Sequence, residues 1–279
     1  MTSTHELELP ATLRERAANW LATPVPERVV VPARLASTVL LLRESDSGVE
    51  VFMQRRVPSM KFAPSMWVFP GGGVDPRDES PDLPWSGPSP ADWGRLLGVP
   101  ASTAQAIVIA AVREVFEECG VLLAGTSAED VVLDVTDDAW QEDRTALLER
   151  RVPFGVLLDR RGLVLRSDLL ALQDHWITPE MEPRRYDTWF FSARLPEQQV
   201  ADDRTSEAAE AVWRVPADVI AEETSGQARM FPPTLVQLAR VSRWPDLTPA
   251  TTNRERLHAV LPRPVLDGDR VLLRAELND

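Results

Sequence analysis

The stretch at residues 106–121, AIVIAAVREVFEECGV, constrains this chain more than any other. Its apolar residues predict a helix, yet Arg113, Glu114, Glu117 and Glu118 crowd into six consecutive positions. The three glutamates stand at i, i+3 and i+4, so a helix carries their carboxylates on one face. Carboxylates placed this way repel one another by about a few tenths of a kcal/mol per pair. They also sit near the C-terminal end of the helix, where the macrodipole disfavours negative charge. Arg113, at i+4 from Glu117, offsets part of this. Val112, Val115, Phe116 and Cys119 supply apolar surface on other sides. The helix is expected to open with Ser102 or Thr103 as N-cap and to stop near Gly120. Such a face is either a solvated acidic surface or a seat for a cation.

Upstream, residues 69–75 read FPGGGVD. Consecutive glycines let a backbone turn tightly and approach a ligand or metal with its amides and carbonyls. A hard divalent cation such as Mg²⁺ takes oxygen ligands and bridges protein carboxylates to substrate phosphates. A glycine turn joined to a helix bearing Glu at i, i+3 and i+4 suits such an ion. Cys119 reads as a packed small apolar residue rather than a nucleophile.

The rest of the chain is mixed β and α, without the regular alternation of a doubly wound sheet. Residues 11–22 predict a short helix, followed by a proline-punctuated connector. Residues 35–42 and 48–56 predict a hairpin around ESDSG. Residues 76–101, rich in proline, predict an irregular excursion with one helical turn at ADWGRLL. DAWQEDRTALLERR and RSDLLALQ predict helical segments. Strands are expected before and after EMEPRR, the second at 186–195, and another near 207–214. PPTLVQLARVSRW predicts a helix opened by proline, and the tail a hairpin around Asp-Gly.

The chain has 279 residues, 44% of them hydrophobic, and a net charge of −13. That charge argues against a general nucleic-acid surface. An anionic substrate needs local arginines or a bound cation to reverse the field. One cysteine excludes a disulfide within the chain. The first twenty residues lack the apolar core of a signal peptide, and no run of about 18 apolar residues would span a membrane. A cytoplasmic protein is the expectation, with no membrane partner.

FPGGGVD and REVFEECGV together resemble the signature of the Nudix hydrolases: glycine, five residues, glutamate, seven residues, then Arg-Glu-apolar-x-Glu-Glu-x-Gly-apolar. Arg113, Glu114, Val115, Glu117, Glu118, Gly120 and Val121 occupy every fixed position of the second half. The first half can be laid from Gly72 to Asp78 or from Gly73 to Glu79. The spacer departs from the pattern, with 33 residues between Glu79 and Arg113. Residues of about 80–101 therefore resemble an insertion inside the motif, as in the peroxisomal coenzyme A diphosphatase branch of the family. FMQRRVPSMKFAPSMWVFPGG is similar to the coenzyme A-recognition motif of Nudix enzymes, with Arg56 at the first arginine. Lys61 stands for the second arginine and Ser65 for the glycine.

The resemblance implies a Nudix fold of the α/β (α+β) class, a mixed sheet sandwiched between helices, with an insertion and extra helical segments. It implies one domain over 1–279, with a split box at 72–121, a helical insertion at about 127–174 and a C-terminal extension at about 230–279. Its implied activity is metal-dependent cleavage of the diphosphate of coenzyme A or acyl-coenzyme A, with Mg²⁺ or Mn²⁺. Glu117 and Glu118 would be main ligands, Glu114 a further ligand or the base, Arg113 their orienting residue, and Gly72 a carbonyl ligand. Glu207 is the candidate for a distant ligand, with Glu210 second. Arg56, Lys61 and Arg55, with Gly71 and Gly73, are expected to bind substrate, and Arg56 or Lys61 to favour a 3′-phosphate. Arg184 and Arg185 are further candidates to reach the pocket. Trp67, Trp85, Trp93 and Trp176 read as core or cover, and His175 as structural or exposed. The excursion is expected to lie over or beside the cleft. Apolar surface on it or on the tail would suit a homodimer. Two other readings stand beside this one: a diphosphatase for NADH, ADP-ribose or another small nucleotide, and a nucleotide-sensing module that does not cut. Retention of the arginine and all three glutamates argues against the sensor.

Overall fold

Residues 39–42, VLLL, are apolar without alternation, because the strand they form is covered on both faces. Val39 and Leu41 enter one core beneath the glutamate helix, while Leu40 and Leu42 enter a second core on the opposite face. Neighbouring strands divide in the same way. Phe52, Trp189 and Phe191 join the first core, and Val51, Met53 and Phe190 the second.

The computed structural model describes residues 2–7, 9, 11–60, 63–80, 82–202, 204, 208–255 and 257–278. In chain order its elements are β1 (Thr2–Leu7), α1 (Ala11–Ala22), β2 (Arg34–Ser45), β3 (Gly48–Arg56), β4 (Trp67–Val68), β5 (Gly71–Gly73), β6 (Trp85–Ser86), α2 (Pro90–Leu97), α3 (Ala101–Cys119) and β7 (Ala124–Gly125). They continue with α4 (Asp138–Leu148), α5 (Phe154–Arg161), β8 (Val164–Arg166), β9 (Ala171–Ile177), β10 (Tyr186–Arg194), β11 (Ala208–Arg214), α6 (Pro216–Thr224), α7 (Pro232–Val241), β12 (Arg263–Asp267) and β13 (Arg270–Asn278).

The main sheet runs β11-β3-β2-β10-β9, and it is mixed, since β10 lies parallel to β2 while the other pairings are antiparallel. Its centre is split. β2 and β3 pair only from Leu42 to Ser45 against Gly48 to Val51. Beyond that they diverge, and the short strands β4 and β5 fill the gap, β4 on β3 and β5 on β2. The glycine turn therefore lies inside the sheet, directly beneath α3. Helix α3 covers one face of the sheet. Helices α6 and α7 cover the other, together with Ala275 and Leu277 of β13. A second sheet, β1-β13-β12, closes the tail, and a third, β6-β8-β7, ties the insertion to the segment after α3.

Three local expectations need correction. The first concerns the start of α3, where the N-cap is Pro100, not Ser102 or Thr103. Pro100, with φ −55° and ψ 148°, is already set in the extended conformation that a helix entry needs. Second, residues 76–101 hold more order than one helical turn. Ser89 and Asp92 form a capping box, Pro90 takes the first position and Gly98 ends the helix in the left-handed conformation, so α2 has eight residues. Third, RSDLLALQ is a short 3-10 turn followed by β9, not a helix. Ala171 to Asp174 are buried on both faces of the sheet, and a doubly buried strand does not alternate. The terminal hairpin forms as expected at Asp267 and Gly268, but β1, which pairs along β13, had no clear signal.

Candidate active site

Arg113 organises the site. Its guanidinium has five N–H donors, and five contacts are made. Nε and Nη2 donate to the two oxygens of Asp78 at 2.9 and 3.0 Å. Nη2 also donates to the Gly73 carbonyl at 3.0 Å. Nη1 donates to Glu114 at 2.7 Å and to Glu117 at 3.1 Å. One buried cation thus ties the glycine turn, the 3-10 turn that follows it and the helix carboxylates together. It also chooses between the two ways of laying the motif: Asp78, 1% exposed, holds the acidic position, and Glu79 is exposed.

The glycines are needed because α3 closes on Gly72 and β2 on Gly71. A Cβ at Gly72 would stand 2.4 Å from Glu114 Oε1, and one at Gly71 would stand 2.5 Å from the Ser37 carbonyl. The Gly71 N–H donates to Glu118 Oε2 at 2.9 Å. At the far end of the helix Gly120 is left-handed, with φ 66°. There the buried Arg144 of α4 donates to the main-chain carbonyl of Glu117 at 2.9 Å. A cation at a helix C-terminus opposes the dipole that works against these glutamates. The helical insertion at 127–174 therefore braces the carboxylate helix from behind.

Burial governs the charges. It pushes Glu114 up to about 7, with Arg113 pulling the other way and Glu117 adding to the rise. Glu117 is likewise raised, first by burial and against Arg113. Burial also opposes the charge on Arg113, but Glu114, Asp78 and Glu117 outweigh it and hold its pKa above the usual value. At the rim, a hydrogen bond from Arg77 holds Asp75 down to about 2.

Glu114, Glu117, Glu118, Arg113 and Gly71 to Gly73 all line one cleft of about 750 Å³. Its other walls include Arg34, Arg56, Arg77, Arg150, Arg184 and Tyr186. The donors on the helix wall are all oxygens, and Asp78, Glu114 and Glu117 outnumber the one guanidinium they share, with Glu118 beside them on the Gly71 N–H. That surplus of negative charge and hard oxygen donors fits a divalent cation held by Glu114, Glu117 and Glu118. Among the described residues, no three such side chains already form a ready cluster. Arg113 holds one oxygen of Glu114 and one of Glu117, so a cation would share these carboxylates with it.

Other expected site residues fall elsewhere. Arg55 is half exposed, pairs with Glu210 at 3.5 Å, and neither lines the cleft. Both are on facing strands, β3 and β11, at the far side of the sheet from β10. Lys61 and Glu207 lie outside the described residues. Arg184 reaches the cleft and Arg185 does not, because Arg185 is buried against the carbonyls of Thr178 and Val31. Trp67, Trp93 and Trp176 are core, Trp85 is partly buried, and none of the four lines the cleft. His175 stacks on Trp189 and bonds to Asp187, a structural role.

No residue of 80–101 lines the cleft. That stretch, expected over or beside the cleft, supplies none of its walls. Trp93 and Leu97 pack under α3 instead, with Trp93 edge-on to Phe191 at 5.7 Å. Arg34, Arg77 and Arg150 were missed. They sit at the start of a strand or in loops, and only the fold brings them together.

Comparison with known proteins agrees with this geometry. The model of the NUDT19 Nudix domain matches residues 91–241, more than half of the chain. The chain is 29% identical over 218 residues to a putative nudix hydrolase 7 of Caenorhabditis elegans, covering 76% of this chain and 62% of that protein. It is 30% identical over 245 residues to the acyl-coenzyme A diphosphatase NUDT19 of Gallus gallus, covering 71% of this chain and 62% of that protein. The chain thus spans less than two thirds of the length of these relatives. Among solved structures, a NUDIX hydrolase from Alicyclobacillus acidocaldarius superposes with a TM-score of 0.69 at 24% identity, covering 80% of this chain and 97% of that one. That likeness shows the fold.

Proposed function

The chain belongs to the Nudix hydrolases of the NUDT19 type, and from that premise we propose that it is a metal-dependent diphosphatase acting on coenzyme A or acyl-coenzyme A. Water adds across the P–O–P bridge, and the products are 3′,5′-ADP and 4′-phosphopantetheine or its acyl form. The observation that carries this is the five-bond Arg113 knot, which sets Glu114, Glu117 and the glycine turn, with Glu118 held by the Gly71 N–H, on one wall of a cleft lined by arginines. Two relatives named acyl-coenzyme A diphosphatase support the choice of substrate.

Glu114, Glu117 and Glu118 would hold Mg²⁺ or Mn²⁺. Such an ion, when bound, neutralises charge on phosphoryl oxygens and lowers the pKa of a bound water. The protein's own groups do the rest. Arg113 fixes the carboxylates against the glycine turn. Glu114, buried against Arg113 and the glycine turn, would serve there as a further ligand or as the base that takes a proton from water. The glycine backbone lets a diphosphate approach without a side chain in its way, and Arg56 sits in the same cleft to receive a phosphate oxygen.

A substrate panel with Mg²⁺ or Mn²⁺ tests the proposal. The expected result is release of 3′,5′-ADP from coenzyme A, with kcat/KM above those for NADH and ADP-ribose. Much faster cleavage of NADH or ADP-ribose would overturn the substrate. Glu118→Gln is expected to fold normally and lose at least about 100-fold in kcat, the scale of removing one preorganised charged group from such a site. Comparable turnover by this variant at saturating Mg²⁺ would remove Glu118 from the chemistry.

A further inference from the structure

Six arginines line the cleft, and three of them, Arg77, Arg113 and Arg150, pair with carboxylates. Arg34 and Arg184 differ. Among the described residues, the side chain of neither makes an ion pair or hydrogen bond, in a chain whose net charge is −13. Two exposed guanidiniums with no carboxylate partner, in the same cleft as a surplus of carboxylates, give that cleft two poles of opposite sign.

Their position is fixed by the fold. Arg185 is buried and donates to the carbonyls of Thr178 at 3.0 Å and Val31 at 2.8 Å. The Arg34 N–H donates to the Arg185 carbonyl at 2.9 Å, and the Tyr186 N–H donates to the Thr178 hydroxyl at 3.0 Å. One buried arginine thus pins the bend that carries its neighbour Arg184 against the start of β2, where Arg34 stands. Arg34 is opposite Tyr186 in the parallel β2–β10 pairing. Further along β2, Ser37 is opposite Gly72. Three strand steps, about 10 Å, carry β2 from Arg34 to Ser37, beside the glycine turn. Leu35, Thr188 and the ring of Tyr186 also line the cleft.

A diphosphate seated at the glutamates would extend its ribose along this wall. A phosphate monoester on the far side of that ribose is a few covalent bonds from the diphosphate, and arginine side chains close the remaining gap. We propose that Arg34 and Arg184 form the subsite for a phosphate monoester on the nucleoside half of the substrate, and set the preference for a 3′-phosphorylated nucleotide over its dephosphorylated form. This rests on the diphosphatase reading of the same cleft. A phosphate monoester carries about −1.5 to −2 charges at neutral pH. Two guanidinium forks match it with parallel N–H···O bonds that an ammonium would not supply. Arg56 is then left for the diphosphate.

The test is calorimetric binding of 3′,5′-ADP and of AMP to the intact chain, which needs no turnover. The wild type is expected to prefer 3′,5′-ADP by roughly 10- to 150-fold, the range for one charge-assisted contact. The double variant Arg34→Gln/Arg184→Gln should bring the two affinities within about threefold, and Arg34→Lys/Arg184→Lys should retain part of the preference. A wild type with no preference, or a double variant that weakens both ligands equally, overturns the subsite. A chain that cleaves no coenzyme A but keeps the binding preference, and loses it in the double variant, refutes the reaction and retains the subsite. A chain that cleaves coenzyme A with a ratio untouched by the substitutions does the reverse.

Discussion

At the residue scale, one choice in the motif was decided by a hydrogen-bond pattern. Glycine-to-acid spacing allowed Asp78 or Glu79, and only the structure shows which carboxylate meets Arg113. Asp78→Ala would leave a buried guanidinium without its bidentate partner, at a cost of about 3 kcal/mol. Glu79→Ala, on the exposed neighbour, should stay within about 0.5 kcal/mol. Urea unfolding of both variants checks this, and equal effects would mean that the two positions share the role. Glu114 yields a second prediction. Burial holds its folded pKa at about 7, well above the ordinary glutamate range. A raised folded pKa gives stability that is present below the unfolded value and lost as pH rises through the folded one. The metal-free chain should therefore lose about 2–3 kcal/mol between pH 4.5 and 7.5 from this group. A divalent cation favours the ionised form, so its stabilising effect should be larger at pH 8 than at pH 5.5. Thermal unfolding with and without Mg²⁺ reads this directly, and a pH-independent shift in Tm would count against it. The glutamates were legible because a helix repeat and a fixed motif spacing are local. Arg34 and Arg184 were harder to place as a pair, since they lie 150 residues apart in sequence, one opening β2 and the other just before β10, and are brought near each other only by sheet pairing.

At the scale of elements, α3 was legible in body and end but not in its beginning, and α2 only in outline. The sequence marks helices by apolar period and caps, and the proline-rich stretch around α2 obscured both. The excursion lies inside the catalytic motif yet contributes to packing under α3. Trp93 is 1% exposed and meets Phe191 of β10 edge-on at 5.7 Å. Its 93° turn into α3 lets α2 lie across the N-terminal half of that helix, away from the carboxylates. Trp93→Ala should thus cost about 3–5 kcal/mol, measured by denaturant unfolding. A loss below about 1 kcal/mol would mean the insertion is an appendage after all. RSDLLALQ failed as a helix for a physical reason of the same kind: a strand buried on both faces and a short buried helix share one apolar pattern.

Over the whole molecule, the split sheet serves two cores. One face packs under α3, and the other is closed by α6, α7 and the tail hairpin, while Arg34, Ala36, Thr38 and Thr188, in phase with Leu40 and Phe190 of that second face, line the cleft beside the glycine turn. A buried polar network joins that closure to the sheet. Asp174 of β9, 1% exposed, accepts from Gln237 at 2.7 Å and from the side-chain amide of Asn278 at 2.8 Å. The same amide donates to the His258 carbonyl at 3.0 Å, and the Asn278 side-chain carbonyl accepts from the His258 N–H at 3.2 Å. The Asp-Gly turn made the hairpin legible, but nothing local announced that its last described residue would seal a buried aspartate 104 positions away. Asn278→Ala removes three partners at once and leaves one oxygen of a buried carboxylate poorer by a donor. The expected loss is about 2–3 kcal/mol. Neither Asn278, Asp174 nor His258 lines the cleft. KM and kcat at a temperature well below unfolding should therefore match the wild type, while the unfolding midpoint falls. A variant with unchanged stability would show that the network is dispensable. A variant with normal stability margin but altered KM would show that the tail belongs to the site as well as to the fold.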